Sequence, residues 1–212
     1  MNILVLVSGS GTNLQALLDA EKEGRFRANG NSADGIAKDD GHIAAVVSDR
    51  AGVYALERAR EAGIPALIEE PDKNLSGKER REELSNRLLG IAHEYQAELI
   101  ILAGFLSILQ GELLSEYEGR IINLHPALLP KYGGAGMYGS RVHEAVLAAG
   151  EKESGCTVHL VDAGTDTGPI LLQRKVPVLQ DDTAESLAER IHKEEHIVIV
   201  EAARLMLGKQ GK

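Results

Sequence analysis

Asn2-Ile3-Leu4-Val5-Leu6-Val7-Ser8-Gly9-Ser10-Gly11-Thr12-Asn13-Leu14-Gln15-Ala16-Leu17-Leu18 is the stretch on which the fold turns. After Asn2 the run to Val7 is unbroken Val, Ile and Leu, the pattern of a central strand covered on both faces in a parallel sheet. Ser8 to Asn13 breaks the run, and from Leu14 apolar residues return at helical spacing. A strand, a Gly/Ser/Thr turn and a helix start bring free backbone N–H groups and the positive end of a helix dipole to one point, which suits an anion. The glycines allow close approach to the backbone. A plain tight connection, with short polar side chains capping the helix, would use the same residues.

Two phosphate motifs fail here. Gly9-x-Gly11 begins like a dinucleotide fingerprint, but Leu14 occupies the third glycine position and Asp49 comes too late to be the acidic residue. A Walker-type loop needs a lysine, and none is present. The turn therefore suits a single phosphate better than a dinucleotide.

Outward from this unit, residues 24–42 are polar and glycine-rich and read as a long exposed loop. Ile43 to Val47 is a second strand, Val53 to Ala62 a helix stopped at Gly63, and Pro65 to Ile68 a short third strand. Lys78 to Gln96 is a charged helix with Leu84, Leu88, Leu89, Ile91 and Ala92 on one face. Leu99 to Ala103 is again fully apolar. The residues that follow, Gly104-Phe105-Leu106-Ser107-Ile108-Leu109, form either the wall of an apolar slot or a core plug. A helix is expected at 111–117, and Ser140 is expected to cap another running to about Ala149. Ser154 to Asp162 alternates, with Thr157 and His159 on a side expected to face solvent or ligand. Ile170 to Val178 pairs with it. Asp182-Thr183 with Glu185 opens a last helix that buries Leu187, Ile191, Ile197, Val198 and Val200. The fold class is α/β: a Rossmann-like, mostly parallel sheet with helices on both faces, extended by an antiparallel C-terminal portion.

The chemistry gathers at strand ends. Arg120 to Leu124 reads as a buried strand closed by Asn123-Leu124-His125-Pro126, and ligands of open α/β sheets sit outside the carboxyl ends of strands. Asn123, His125, Asp162 and Asp166 all lie at such an end or in the turn after one. An amide and an imidazolium can donate to a developing oxyanion. A carboxylate can hold the imidazole charged and accept protons from an attacking amine. That set suits acyl transfer to an amine by direct attack through a tetrahedral intermediate, since no covalent nucleophile stands beside it. A metal site is the competing use of His plus Asp, but the paired His or Cys spacing of such sites is missing, and no metal is expected.

A net charge of −9 over 212 residues argues against a nucleic-acid or membrane-surface partner. Cys156 is the only cysteine and lies in an apolar strand pattern, so a buried inert thiol is expected. The first apolar run is too short for a signal peptide and no stretch reaches membrane-spanning length, so cytoplasmic localisation is the expectation.

The opening residues to Leu17, then Leu102-Ala103-Gly104-Phe105, then Asn123 to Pro130, and His159 with Asp166-Thr167-Gly168-Pro169, resemble phosphoribosylglycinamide formyltransferase. The blocks occur in that family's order and cover essentially the whole chain. The resemblance implies formyl transfer from 10-formyltetrahydrofolate, as co-substrate, to the primary amine of glycinamide ribonucleotide in de novo purine synthesis. It implies Asn123, His125 and Asp166 as catalytic residues, Asp166 being taken over Asp162 because it lies seven positions after His159. It further implies Gly11, Thr12 and Asn13 as the substrate-phosphate site and Glu195 as the residue holding the substrate's ribose and amine end. Leu106, Ser107, Ile108 and Leu109, with Val161 and Asp162 in the second turn, are implied as folate-binding walls.

There are departures. The position after Leu106 is often Arg in the family and is Ser107 here, and the loops at 24–42 and after Tyr132 look extended. One domain, 1–212, is expected, with an N-terminal phosphate-binding half to about 102 and a C-terminal formyl-folate and catalytic half from about 103. Its partners are expected to be small molecules, with the chain a monomer or homodimer. Rival formyl-folate enzymes, a formyltetrahydrofolate hydrolase or a formyltransferase for a different amine, usually add an N-terminal or a basic C-terminal domain.

Overall fold

The computed structural model describes residues 1–27 and 40–209, so most of the expected 24–42 loop lies outside the described residues. The elements run β1 (Asn2–Val7), α1 (Thr12–Lys22), β2 (His42–Ser48), α2 (Tyr54–Glu61), β3 (Ala66–Ile68), α3 (Gly77–Glu94), β4 (Ala97–Leu102), α4 (Glu112–Glu116), β5 (Ile121–His125), α5 (Ser140–Ala148), β6 (Glu153–Leu160), β7 (Ile170–Pro177) and α6 (Ala184–Lys209). One sheet holds all seven strands in the order β3-β2-β1-β4-β5-β6-β7. Pairing is parallel from β3 to β5, and β6 and β7 are antiparallel. The mixed sheet is the one the sequence pattern implies.

β1 sits at the centre, and its unbroken apolar run follows from being covered twice. Ile3, Val5 and Val7 pack with α1, α5 and α6 on one face, while Leu4 and Leu6 pack with α3 and α4 on the other. The chain runs from β1 to one side of the sheet through β2 and β3, then returns to β1's other side at β4. That reversal of strand order opens a crevice at the carboxyl ends of β1 and β4, the place where α/β sheets bind ligands. No helix among the described residues is long and apolar enough to cross a membrane.

Four local expectations need correction. The side of β6 expected to face solvent or ligand does so only at His159, which lines a cavity; Thr157 is buried against the segment after β5 and the Gln173 side chain. Ile197 is exposed, since the buried stripe of α6 steps from Leu187 to Ile191, Glu195, Val198 and Ala202 and leaves Ile197 to one side. α6 opens on a reciprocal pair that uses Ser186 in place of Glu185: Ser186 N–H donates to Thr183 Oγ1 (3.2 Å) and Thr183 N–H to Ser186 Oγ (3.0 Å). Ser140 is the first residue of α5 and makes no cap; Gly139, at φ 59°, precedes it. The Gly104–Leu109 question resolves both ways, with Phe105 and Leu109 buried in the core and Leu106 and Ile108 exposed.

Gly11 takes a left-handed conformation (φ 73°) at the start of α1, and a Cβ there would lie 2.7 Å from Ala55 of α2. Its absent side chain serves the docking of α2 as well as any ligand. Gly11→Ala combines a left-handed penalty with a clash and is expected to cost about 2 kcal/mol, a fall in Tm of roughly 5 °C by thermal denaturation. An unchanged Tm would mean that α2 yields without cost.

Candidate active site

A cavity of about 510 Å³ opens along the carboxyl ends of β4, β5 and β6 and reaches α1, α5 and α6. Asn123, His125 and Asp166 line it, as do Asn13, Glu195, Leu106, Ser107, Ile108, Leu109, Val161 and Asp162. Gly11 and Thr12 do not. Thr12 borders a second, shallower hollow on the other side of α1 together with Arg58, whose Nε donates to the Ser10 carbonyl at 2.9 Å. The sequence pattern does not single out Arg58, yet it brings a guanidinium to the phosphate-type turn.

The chemical centre is built on register. β5 delivers Asn123 and His125 at its end, and β6 runs back beside it with His159 directly opposite Asn123. Asn123 Nδ2 lies 3.1 Å from His159 Nε2 and 3.4 Å from Asp166 Oδ1. His159 Nδ1 donates to the Leu160 carbonyl at 2.8 Å, and its Nε2 faces both Asn123 and Asp166. Asp166 is held at φ 58° in the turn after β6. Its Oδ2 accepts from Gly134 N–H (3.0 Å) and lies 3.5 Å from His125 Nδ1, and its Oδ1 lies 3.5 Å from His159 Nε2. His159 is thus the site residue that sequence reasoning leaves without a role. The available signal is its place on the same face of the strand as Thr157.

His125 is buried, and its Nε2 donates to the Tyr132 carbonyl at 2.8 Å. Burial pushes the imidazole pKa below its ordinary value, although Asp166 and the Tyr132 carbonyl act the other way. That direction runs against the expectation of a resting imidazolium. Burial alone would raise the Asp166 carboxyl. The His159 hydrogen bond, His125 and the Gly134 N–H outweigh it and hold that group below the usual carboxylate value. Asp162 lines the same wall but has a structural use, since its Oδ1 accepts from Gly164 N–H and Thr167 Oγ1.

A knot behind His125 fixes the backbone. Thr157 Oγ1 donates to the Ala127 carbonyl (2.6 Å) and accepts from Leu129 N–H (3.1 Å) and Gln173 Nε2 (2.9 Å). Two of this buried hydroxyl's three bonds go into the segment between His125 and Tyr132, and the third comes from Gln173 of β7.

At the other end of the cavity Glu195 is buried on α6, where its Oε2 accepts from Asn13 Nδ2 (3.2 Å) and lies 2.6 Å from His192 Nδ1. That carboxylate raises the His192 pKa. Asn13 Oδ1 and His143 Nδ1 are buried on the cavity wall with no hydrogen-bond partner among the described residues. Cys156 takes no part, its thiol pushed up to about 12 by burial.

A formyl transferase family model matches residues 1–203. The chain is 43% identical over 205 residues to the trifunctional purine biosynthetic protein adenosine-3 of Drosophila melanogaster, covering 97% of this chain and 14% of that protein. It is 38% identical over 200 residues to the phosphoribosylglycinamide formyltransferase of Escherichia coli, covering 93% of this chain and 83% of that one. The glycinamide ribonucleotide transformylase 1 of Symbiobacterium toebii superposes with a TM-score of 0.83 at 40% identity, covering 98% of this chain and 88% of that one. This chain belongs to the formyl transferase family.

Proposed function

We propose that the chain transfers a formyl group from 10-formyltetrahydrofolate to the primary amine of glycinamide ribonucleotide, as a cytoplasmic enzyme of purine synthesis. The observation that carries this reading is one cavity with the Asn123–His125–Asp166 centre between an apolar wall and a polar end. Leu106, Ile108 and Val161 suit the flat ring of a folate. Asn13, Glu195 and the start of α1 suit a phosphorylated sugar. On this reading the whole chain works as one domain, with the phosphate held by its first half and the formyl donor by its second.

The amine nitrogen attacks the formyl carbon, the bond from that carbon to the folate nitrogen breaks, and one proton passes from amine to folate nitrogen. Asp166, ionised at rest, accepts the amine proton. His125 Nδ1, 3.5 Å away, is placed to share it. Once protonated, that nitrogen donates towards the formyl oxygen or the leaving nitrogen while Nε2 stays on the Tyr132 carbonyl. Asn123 exchanges its long 3.4 Å contact with Asp166 for the formyl oxygen and keeps His159 as its anchor.

Purified protein given both substrates is expected to release tetrahydrofolate only when glycinamide ribonucleotide is present, with formylated ribonucleotide formed in equal amount. Folate release at the same rate without the ribonucleotide would make the chain a hydrolase and overturn the proposal.

A further inference from the structure

The wall formed by Gly104 to Leu109 has an unusual support. No backbone–backbone hydrogen bond holds any of these six residues among the described residues. The segment leaves β4 through Gly104 at φ 75° and crosses the carboxyl ends of β1 and β2. Two side-chain tethers fasten it there. Leu106 N–H donates to Ser8 Oγ at 2.8 Å, just past β1, and Ser107 Oγ donates to Asp49 Oδ2 at 2.7 Å, just past β2. Ser8 and Asp49 are each only 5% exposed. Asp49 Oδ1 also accepts from Arg50 Nε at 3.1 Å, so both carboxylate oxygens are engaged and the side chain is fixed. Leu106 and Ile108, either side of the tethered Ser107, keep 46% and 40% of their surface open and line the cavity.

We infer that Asp49, which does not itself line the cavity, is a positioning residue: through Ser107 it fixes the Leu106–Ile108 wall and so sets affinity for the formyl donor. The inference rests on the reading that this wall holds the folate. A short charge-assisted hydrogen bond to a buried carboxylate is the strong kind, and here it restrains a segment with no ladder of its own. Ordering that wall in advance spares the donor the entropy of ordering it on binding. Asp49 touches no reacting atom, so its effect belongs in donor binding.

Asp49→Ala is expected to raise KM for 10-formyltetrahydrofolate by about five- to tenfold, the scale of one such hydrogen bond. KM for glycinamide ribonucleotide and kcat at saturating donor are expected to stay within about twofold of the parent. Ser107→Ala should raise donor KM by the same factor, and the double variant should be no worse than either single one, because the two side chains share one bond. Asp49→Asn keeps an acceptor oxygen and should recover most of the affinity; it also serves if the alanine variant does not fold. Equal increases in both KM values, or effects of Asp49→Ala and Ser107→Ala that add, would overturn the inference. Calorimetric binding of 10-formyltetrahydrofolate without the amine substrate separates the two ideas. If the parent binds donor but transfers nothing to the ribonucleotide, the functional reading fails, and the Kd ratio of parent to variants still tests the tether.

Discussion

Asp166→Asn is expected to fold like the parent and to lose at least about 100-fold in kcat, the lower range for removing a group that moves a proton. The fold should survive because the substitution spares everything but charge. Asp166 sits at φ 58°, a left-handed conformation that Asn tolerates better than other non-glycine residues. An amide oxygen can still accept the Gly134 N–H, 3.0 Å away. What disappears is the anion that His159, His125 and that N–H hold ionised against burial. The stability signature has a definite sign. A carboxyl with a depressed folded pKa contributes stability that is present above its unfolded value of about 4 and is lost as pH falls through the folded value. Denaturant curves of parent and variant should therefore draw together below about pH 4. Single-turnover assays with circular dichroism check both halves. Near-full activity would shift proton transfer to Asp162 on the same wall.

Elements whose cause is local are legible in the amino-acid sequence. β1 and β4 lie under helices on both faces, so their apolar runs carry no ambiguity of face. The end of β5 is legible because Asn123, His125 and Pro126 adjoin or nearly adjoin along the chain. The choice of Asp166 over Asp162, and the role of Glu195, come from family resemblance; the residues themselves allow either carboxylate. What the sequence hides depends on pairing between distant segments. His159 becomes the partner of Asn123 through strand register alone. β6 alternates like a half-wet strand, yet Thr157 on its supposedly wet side is consumed by Ala127, Leu129 and Gln173. Gly11 reads as a glycine for a ligand and proves to be required by Ala55, more than forty positions on. The Ser107 departure is visible as a missing arginine, while its bond to Asp49 requires the two strand ends to meet.

These non-local contacts also explain how a loop-borne site is kept rigid. Every chemical group stands on a fixed partner: Asn123 on His159, His125 on the Tyr132 carbonyl, Asp166 on Gly134, and the apolar wall on Ser8 and Asp49. Preorganised dipoles and acceptors lower a barrier because they need not reorient as charge develops.

His125→Gln is expected to lower kcat by about 100- to 10,000-fold, the full range for a positioned acid–base group. Gln is the informative choice because its amide nitrogen can reach the position of Nε2 and keep the donation to the Tyr132 carbonyl, while nothing replaces Nδ1. A loss of activity in a variant that keeps this anchor reports on proton handling at Nδ1 and not on a loosened loop. The charge state is separately measurable. The His125 ring should titrate below the ordinary value of about 6.5 by NMR, because burial outweighs the attraction of Asp166. In Asp166→Asn the midpoint should fall further, since one of the influences that raise it is gone. A folded pKa below the unfolded one means that the unfolded chain binds more protons between the two values, so stability rises with pH there and is complete above about 6.5. His143 and His196, whose pKa values burial also lowers, add to that slope, and His192, raised by Glu195, opposes it. His125→Gln should therefore flatten the gain in denaturation free energy as pH rises to about 6.5. A His125 midpoint above 6.5, or a variant that keeps most of its kcat, would put the amine proton on Asp166 alone and leave the imidazole only the work of holding the segment from Pro126 to Tyr132.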